Sequence, residues 1–234
     1  MITAKMTLAD VVKQYPQTIP YLNDLHLDYC CNGHLPMEES LAGGSVDLSE
    51  VLQELNRIAE QPAARTEGPT ASIEAFEKLS VYEMLSDLEA THHVAEREMM
   101  GQIEQLLNKI LVVHYPHHGE ELAQIHNLFA RLKAELEEHF AKEERLVFPM
   151  MRSNPHPNEE TLARVKELEG EHTTVGDMLK ELQQLTGDYI LPDDACATYA
   201  QTYRTMRAFT EDVFVHVFKE NSIAFPEYVE QNRN

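Results

Sequence analysis

Long apolar runs, cysteine and positive charge are all scarce in this 234-residue sequence. No stretch approaches the roughly 20 apolar residues that span a bilayer, and the opening MITAKMTLADVV has no apolar run of signal-peptide length. The expectation is a cytoplasmic protein with no membrane partner. Three cysteines, Cys30, Cys31 and Cys196, are too few and too unevenly spaced for a disulfide framework, which suits a reducing compartment. Only 19 Lys and Arg stand against 40 Asp and Glu, and a formal net charge of -21 repels nucleic acid and anionic lipid alike. No nucleic-acid partner is expected.

What is present is helical. Hydrophobic residues at 43% and charged residues at 25% are enough to bury a core. Leu8 to Gln14, Ile19 to Leu25 and Leu48 to Ala59 carry short helical patterns, interrupted by Pro16, Pro20, Pro36 and the Gly43-Gly44 pair, with Asp47 as the cap before Leu48. These make a small helical domain over residues 1–61. The segment PAARTEGPT at 62–70, with two prolines and a glycine, predicts a linker over 62–72.

From Ser80 onward the pattern is long helices. Val81, Leu85, Leu88, Ala95, Met99, Ile103, Leu106 and Ile110 recur at the period of one buried helix face. That helix is expected to end near Tyr115-Pro116. Others are expected from about Glu120 to Pro149, Asn158 to Thr186 and Asp193 to Pro226. The predicted fold class is all-α, an up-down-up-down four-helix bundle over 73–234 behind the small helical domain.

The bundle contains an internal repeat. His139-Phe140-Ala141-Lys142-Glu143 runs on to Phe148-Pro149, and His216-Val217-Phe218-Lys219-Glu220 runs on to Phe225-Pro226, so both copies read H-x-x-K-E-x-x-x-x-F-P. Residues four apart share a helix face, so each copy can aim one imidazole and one carboxylate at a common point. A single such pair is more often a surface ion pair or a buried histidine satisfied by its neighbour. Two copies with a shared ending favour a metal site.

The other two helices offer histidines at matching distances ahead of each copy, His172 on one and His92 or His93 on the other. Adjacent residues lie about 100° apart on a helix, so His92 and His93 cannot point the same way, and the apolar period alone places His92 nearer the seam. The resulting set of four imidazoles and two carboxylates suits two metals bridged by the glutamates. Mixed imidazole and carboxylate ligation favours iron over manganese, and over zinc in its cysteine-rich structural sites.

The remaining histidines take plainer readings. His114, His117 and His118 surround Pro116 at an expected helix end and read as exposed loop residues. His26, His34, His126 and His156 are isolated and carry no assigned role. The vicinal Cys30-Cys31 pair, followed by Asn32-Gly33, is different. Adjacent Cα atoms are about 3.8 Å apart, below the usual disulfide range, so a dithiol is the expected resting form. Its functional reading is a redox or thiolate-transfer site, and its plain reading is a pair of small buried residues. Cys196 reads as structural.

With Asp28-Tyr29-Cys30-Cys31 ahead of two H-x-x-x-E segments that each run into Phe-Pro, the chain resembles the iron-sulfur cluster repair di-iron proteins, also called the repair of iron centres family, over nearly its whole length. Oxygen-carrying hemerythrins are similar in fold but use five histidines with one glutamate and one aspartate. The resemblance implies His93, His139, Glu143, His172, His216 and Glu220 as ligands of a non-haem di-iron centre with an oxo or hydroxo bridge. It implies Cys30 and Cys31 as the pair needed for repair. It selects His93, although relatives often carry tyrosine where this chain has His92. Damaged iron-sulfur proteins would be the clients, nitric oxide or oxygen would reach the metals, and a homodimer is compatible. Two other functions use the same ligands: reduction of nitric oxide or peroxide, and reversible sensing of oxygen or nitric oxide.

Overall fold

A computed structural model describes residues 1–42, 46–61 and 73–230. The expected linker at 62–72 and the Gly43-Gly44 break lie outside the described residues. Among the described residues the structure is helical, with one isolated bridge between Thr7 and Pro36. No helix there is long and apolar enough to cross a membrane.

The N-terminal part comprises α1 (Leu8–Gln14), α2 (Ile19–Asp24), α3 (Met37–Ser40) and α4 (Leu48–Ala59). Pro16 and Pro20 sit in first turns, where a missing N–H leaves no helical bond unmade. Asp47 caps α4 by accepting from the Ser49 and Glu50 amides at 2.7 and 3.2 Å. Val51 and Leu55, four apart on α4, face inward and are buried.

The bundle is built from α6 (Val81–Ala90), α7 (His92–Lys142), α9 (Glu159–Leu185) and α10 (Ala197–Lys219), with the short α5 (Ile73–Phe76), α8 (Phe148–Ser153) and α11 (Phe225–Glu230). A straight helix of α7's 51 residues would be about 75 Å long, yet His93 near one end lies 2.9 Å from Glu144 just past the other. The chain therefore doubles back, at His118, whose φ of -127° and ψ of 15° are not helical. The junction between two helices lies between the expected end near Tyr115-Pro116 and the expected start at about Glu120, as a sharp reversal at His118. Gly119 makes so tight a reversal possible, because a Cβ there would sit 2.9 Å from the Tyr115 ring. The first bundle helix is also broken, at Thr91, immediately before the paired histidines.

Both copies of the repeat end in a π-turn, Glu143–Val147 and Glu220–Ala224. The cause is the proline that follows. Pro149 and Pro226 cannot donate, and their rings crowd the carbonyl four residues back, so an α-helix cannot run through unaltered. The ladder widens instead, and the amides of Phe148 and Phe225 bond the carbonyls of Glu143 and Glu220.

The N-terminal part shares one apolar core with the bundle. Tyr29 packs edge-on to Phe214 and Phe218, and Asp28 pairs with Lys180 of α9 at 2.7 Å. The loop carrying Cys30 and Cys31 is thereby seated on α9 and α10.

Candidate metal centre

The doubled-back α7 brings His93 and His139 into the bundle interior, α9 adds His172, and α10 adds His216. Glu143 and Glu220 start the two π-turns. All six side chains are at most 3% exposed. They form two groups that share both carboxylates: His93, His216, Glu143 and Glu220, and His139, His172, Glu143 and Glu220. Glu143 directs Oε2 to His93 Nε2 and Oε1 to His139 Nε2, each at 3.3 Å. Glu220 directs Oε1 to His216 Nε2 at 3.3 Å and Oε2 to His172 Nε2 at 3.1 Å. Each carboxylate thus offers one oxygen to each group, the arrangement a bridging ligand requires.

The Nδ1 atoms explain why all four Nε2 atoms face the centre. His93 Nδ1 lies 2.9 Å from Glu144, His139 Nδ1 2.9 Å from Glu171, His216 Nδ1 3.0 Å from Glu96 and His172 Nδ1 2.7 Å from the Asn221 side-chain oxygen. Ionised carboxylates and amide oxygens only accept, so the Nδ1 atoms of His93, His139 and His172 donate, leaving Nε2 with the lone pair a metal needs, and Glu96 orients the His216 ring in the same way. Arg97 steadies Glu144 at 2.6 Å and Lys142 steadies Glu171 at 2.6 Å. The His139 hydrogen bond, helped by Lys142, holds the Glu171 carboxyl at about 2, well below the usual range.

The interior is built for cations. His93 Nε2, His216 Nε2 and both oxygens of Glu143 and of Glu220 are buried without a hydrogen-bond partner. His139 and His172 face each other Nε2 to Nε2 at 3.1 Å, which two lone pairs tolerate only with a cation or proton between them. Burial opposes charge on His139, yet the neighbouring Glu143 and Glu171 carboxylates push its pKa up to about 10. Orphaned buried polar atoms of this kind carry a desolvation cost that a metal removes. The donor set fits two cations of imidazole and carboxylate preference.

His92 stays outside both groups. Its Nδ1 meets Asp212 at 2.9 Å and its Nε2 meets Lys219 Nζ at 3.0 Å, while its ring stacks on His216. His92 and His93 are both buried just after the break at Thr91, and it is His93 that joins the glutamates, although the apolar period favours His92. Glu96, also buried, has its pKa raised to about 7 by burial, against the pull of His216. Glu96, Glu144, Glu171 and Asn221 went unnoticed in the sequence reading. One signal was available for two of them, since Glu144 and Asn221 each follow the glutamate of a repeat.

Cys30 and Cys31 are free thiols in the loop seated on α9 and α10, with Sγ atoms 3.7 Å apart. Cys31 Sγ is 3.5 Å from the His172 carbonyl oxygen, and the Asn221 amide donates to the Cys30 carbonyl at 3.1 Å. The hydrogen bond shared with Cys31 and burial together raise the Cys30 thiol above its usual range. His114 is not the exposed residue its position suggested: it is buried against Tyr199, with Nε2 3.2 Å from Cys196 Sγ. Cys196 itself is exposed, and its His114 contact lowers its pKa to about 7.

Comparison with known proteins identifies the family. Residues 84–228 match the hemerythrin HHE cation binding domain, and residues 4–59 match a domain of unknown function designated ScdA_N. The iron-sulfur cluster repair protein ScdA of Staphylococcus epidermidis is 26% identical, over 96% of this chain and 98% of its own. The iron-sulfur cluster repair protein YtfE of Pectobacterium atrosepticum is 27% identical, over 94% and 95% of the two chains. A probable iron-sulfur cluster repair protein of Haemophilus influenzae is 25% identical over 97% of each. The chain belongs to the hemerythrin HHE cation-binding family, with an ScdA_N domain ahead of the bundle.

Proposed function

We propose that this protein repairs damaged iron-sulfur clusters from a di-iron centre held by His93, His139, Glu143, His172, His216 and Glu220. Cys30 and Cys31 act at the exit. One observation carries the reading: the dithiol is seated on the helix that carries a candidate ligand, with Cys31 Sγ 3.5 Å from the backbone carbonyl of His172. The whole-length similarity to proteins named for cluster repair supports it. Iron bound there supplies one-electron chemistry and a store of the metal a damaged cluster has lost.

The chain's own residues do the rest. Glu144, Glu171, Glu96 and Asn221 keep the four imidazoles in the Nε2-ligating tautomer. Phe140, Phe148 and Phe225 pack on His93 and His172 and exclude water from that side of the box. The clients are iron-sulfur proteins damaged by oxidative or nitrosative stress, in a cytoplasmic setting. The matched segments, 4–59 and 84–228, support two functional parts divided near the expected 62–72 linker.

Metal content and reactivation together test this. Anaerobically purified protein should carry about two irons per chain and restore a peroxide- or nitric oxide-inactivated iron-sulfur dehydratase. Glu143→Ala with Glu220→Ala should lose both metal and reactivation, whereas Cys30→Ser with Cys31→Ser should keep the iron and lose reactivation. Nitric oxide turnover that ignores the cysteines, with no client reactivated by the wild type, would assign the centre to small-oxide reduction instead.

A further inference from the structure

The two vicinal thiols have the bite of a chelate. Their Sγ atoms lie 3.7 Å apart. Two thiolates on one tetrahedral metal, each at about 2.3 Å, stand roughly 3.8 Å from one another. A disulfide would require about 2.05 Å and a shift of the backbone. As placed, the pair is set for a shared cation rather than for a bond to itself.

We propose that Cys30 and Cys31 form a bidentate thiolate site for a thiophilic divalent cation, separate from the histidine and glutamate box. Under the repair reading that cation is Fe²⁺, and the inference rests on that reading only for the identity of the ion. Binding replaces two S–H bonds with two metal–sulfur bonds and releases two protons to solvent, with no change of oxidation state.

Three observations beyond the thiol spacing support the site. The pair opens on a cleft of about 480 Å³ whose walls include His34 and Glu169, which bring further nitrogen and oxygen donors to the same space. Asp28 fixes the loop and also stands within reach of the ion, its Oδ1 3.3 Å from Cys30 Sγ. Its oxygens accept from the Cys31 amide at 2.9 Å, Asn32 Nδ2 at 2.8 Å and Lys180 Nζ at 2.7 Å, which pins the loop in its chelating shape. Finally, α9 is trimmed opposite the thiol: a Cβ on Gly176 would stand 3.2 Å from Cys31 Sγ. The site therefore offers two fixed sulfurs and open coordination positions facing a cleft, as a transfer site needs and a closed structural site does not.

Cobalt(II) tests this on the full-length apoprotein, because a thiolate ligand produces intense near-ultraviolet charge-transfer absorption and imidazole and carboxylate do not. Wild type should bind a third equivalent per chain that carries this absorption. Cys30→Ser with Cys31→Ser should stop at two equivalents and lose it entirely, its visible cobalt bands showing that the bundle is folded. Cys196→Ser should behave as wild type. Wild type without charge-transfer absorption, or absorption that survives in the double variant, would overturn the site. Charge-transfer absorption without the first two equivalents would leave this site standing and remove the di-iron centre instead.

Discussion

His172 is the one candidate ligand among the four histidines whose Nδ1 meets an amide, the side chain of Asn221 at 2.7 Å, where the other three meet carboxylates. A carboxylate partner makes an imidazole the stronger donor, so a metal bound on the His172 side of the box would be held less firmly by that imidazole. The amide has a second hand, its Nδ2 group, which a carboxylate lacks, and this holds the Cys30 carbonyl at 3.1 Å. One side chain thus orients a candidate metal ligand and anchors the dithiol loop.

Asn221→Ala should therefore weaken metal binding by roughly 10- to 100-fold, the usual effect of losing such a partner. Asn221→Asp keeps an acceptor for His172 but sets a carboxylate against the Cys30 carbonyl. It should retain more metal than the alanine variant while loosening the cysteine loop. Chelator competition reads the first effect, and the rate of Cys31 alkylation reads the second. Equal metal affinity in wild type and Asn221→Ala would remove Asn221 from the site.

The two lysines of the repeat should behave differently. Lys142 is a partly exposed residue paired with Glu171 and Glu138, whereas Lys219 is 1% exposed, stands 3.0 Å from His92 and 3.5 Å from Asp87, and lies over the Phe76 ring. Lys219→Ala should cost about 3 kcal/mol, since it leaves a buried cavity and uncompensated polar partners. Lys142→Ala should cost about 1 kcal/mol or less. Urea unfolding of the apoproteins gives both numbers.

Asp28 should make stability depend on acid. Burial opposes its ionisation, but Lys180 and the Cys31 amide hold its carboxyl at about 2. A depressed folded-state pKa contributes stability above the unfolded value, near 4, and that contribution fades as pH falls toward 2. Asp28→Asn should be about 1 kcal/mol less stable than wild type at pH 6, after allowance for solvent screening, and equal to it near pH 2. A gap that does not change with pH would place the effect elsewhere.

Metal removal should lower stability in proportion to binding. Free metal at about 100 times its Kd stabilises a one-site protein by about 2.7 kcal/mol, so loading should raise the thermal midpoint of wild type clearly. The rise should vanish in Glu143→Ala with Glu220→Ala. That apoprotein should itself be less stable than the wild-type apoprotein by about 3 kcal/mol, because the substitutions open cavities and strip four buried imidazoles of carboxylates 3.1 to 3.3 Å away. Calorimetry with and without chelator measures both.

What could be read in the sequence was what depends on neighbours along the chain. Helical periodicity, the Asp47 cap and the two H-x-x-K-E-x-x-x-x-F-P segments are all local, because a helix places residues four apart on one face whatever surrounds it. The prolines even determine the π-turns that follow Glu143 and Glu220, since the lost N–H and the ring clash belong to proline itself. Of the histidines around Pro116, His114 misled for the opposite reason: it patterns with an exposed helix end, yet it is buried by contacts from Tyr199 and Cys196, far along the chain.

By itself, then, the sequence determined an all-helical chain with a duplicated imidazole and carboxylate motif and a vicinal dithiol. Tertiary structure decided the rest. Packing placed His93 beside Glu143 and left the adjacent His92 to Asp212 and Lys219. Packing buried Lys219 and left its counterpart Lys142 at the surface, and it seated Cys30 and Cys31 against His172 from more than a hundred residues away. Such choices depend on which helix faces meet across the bundle, and that depends on the whole set of long-range contacts rather than on any local spacing.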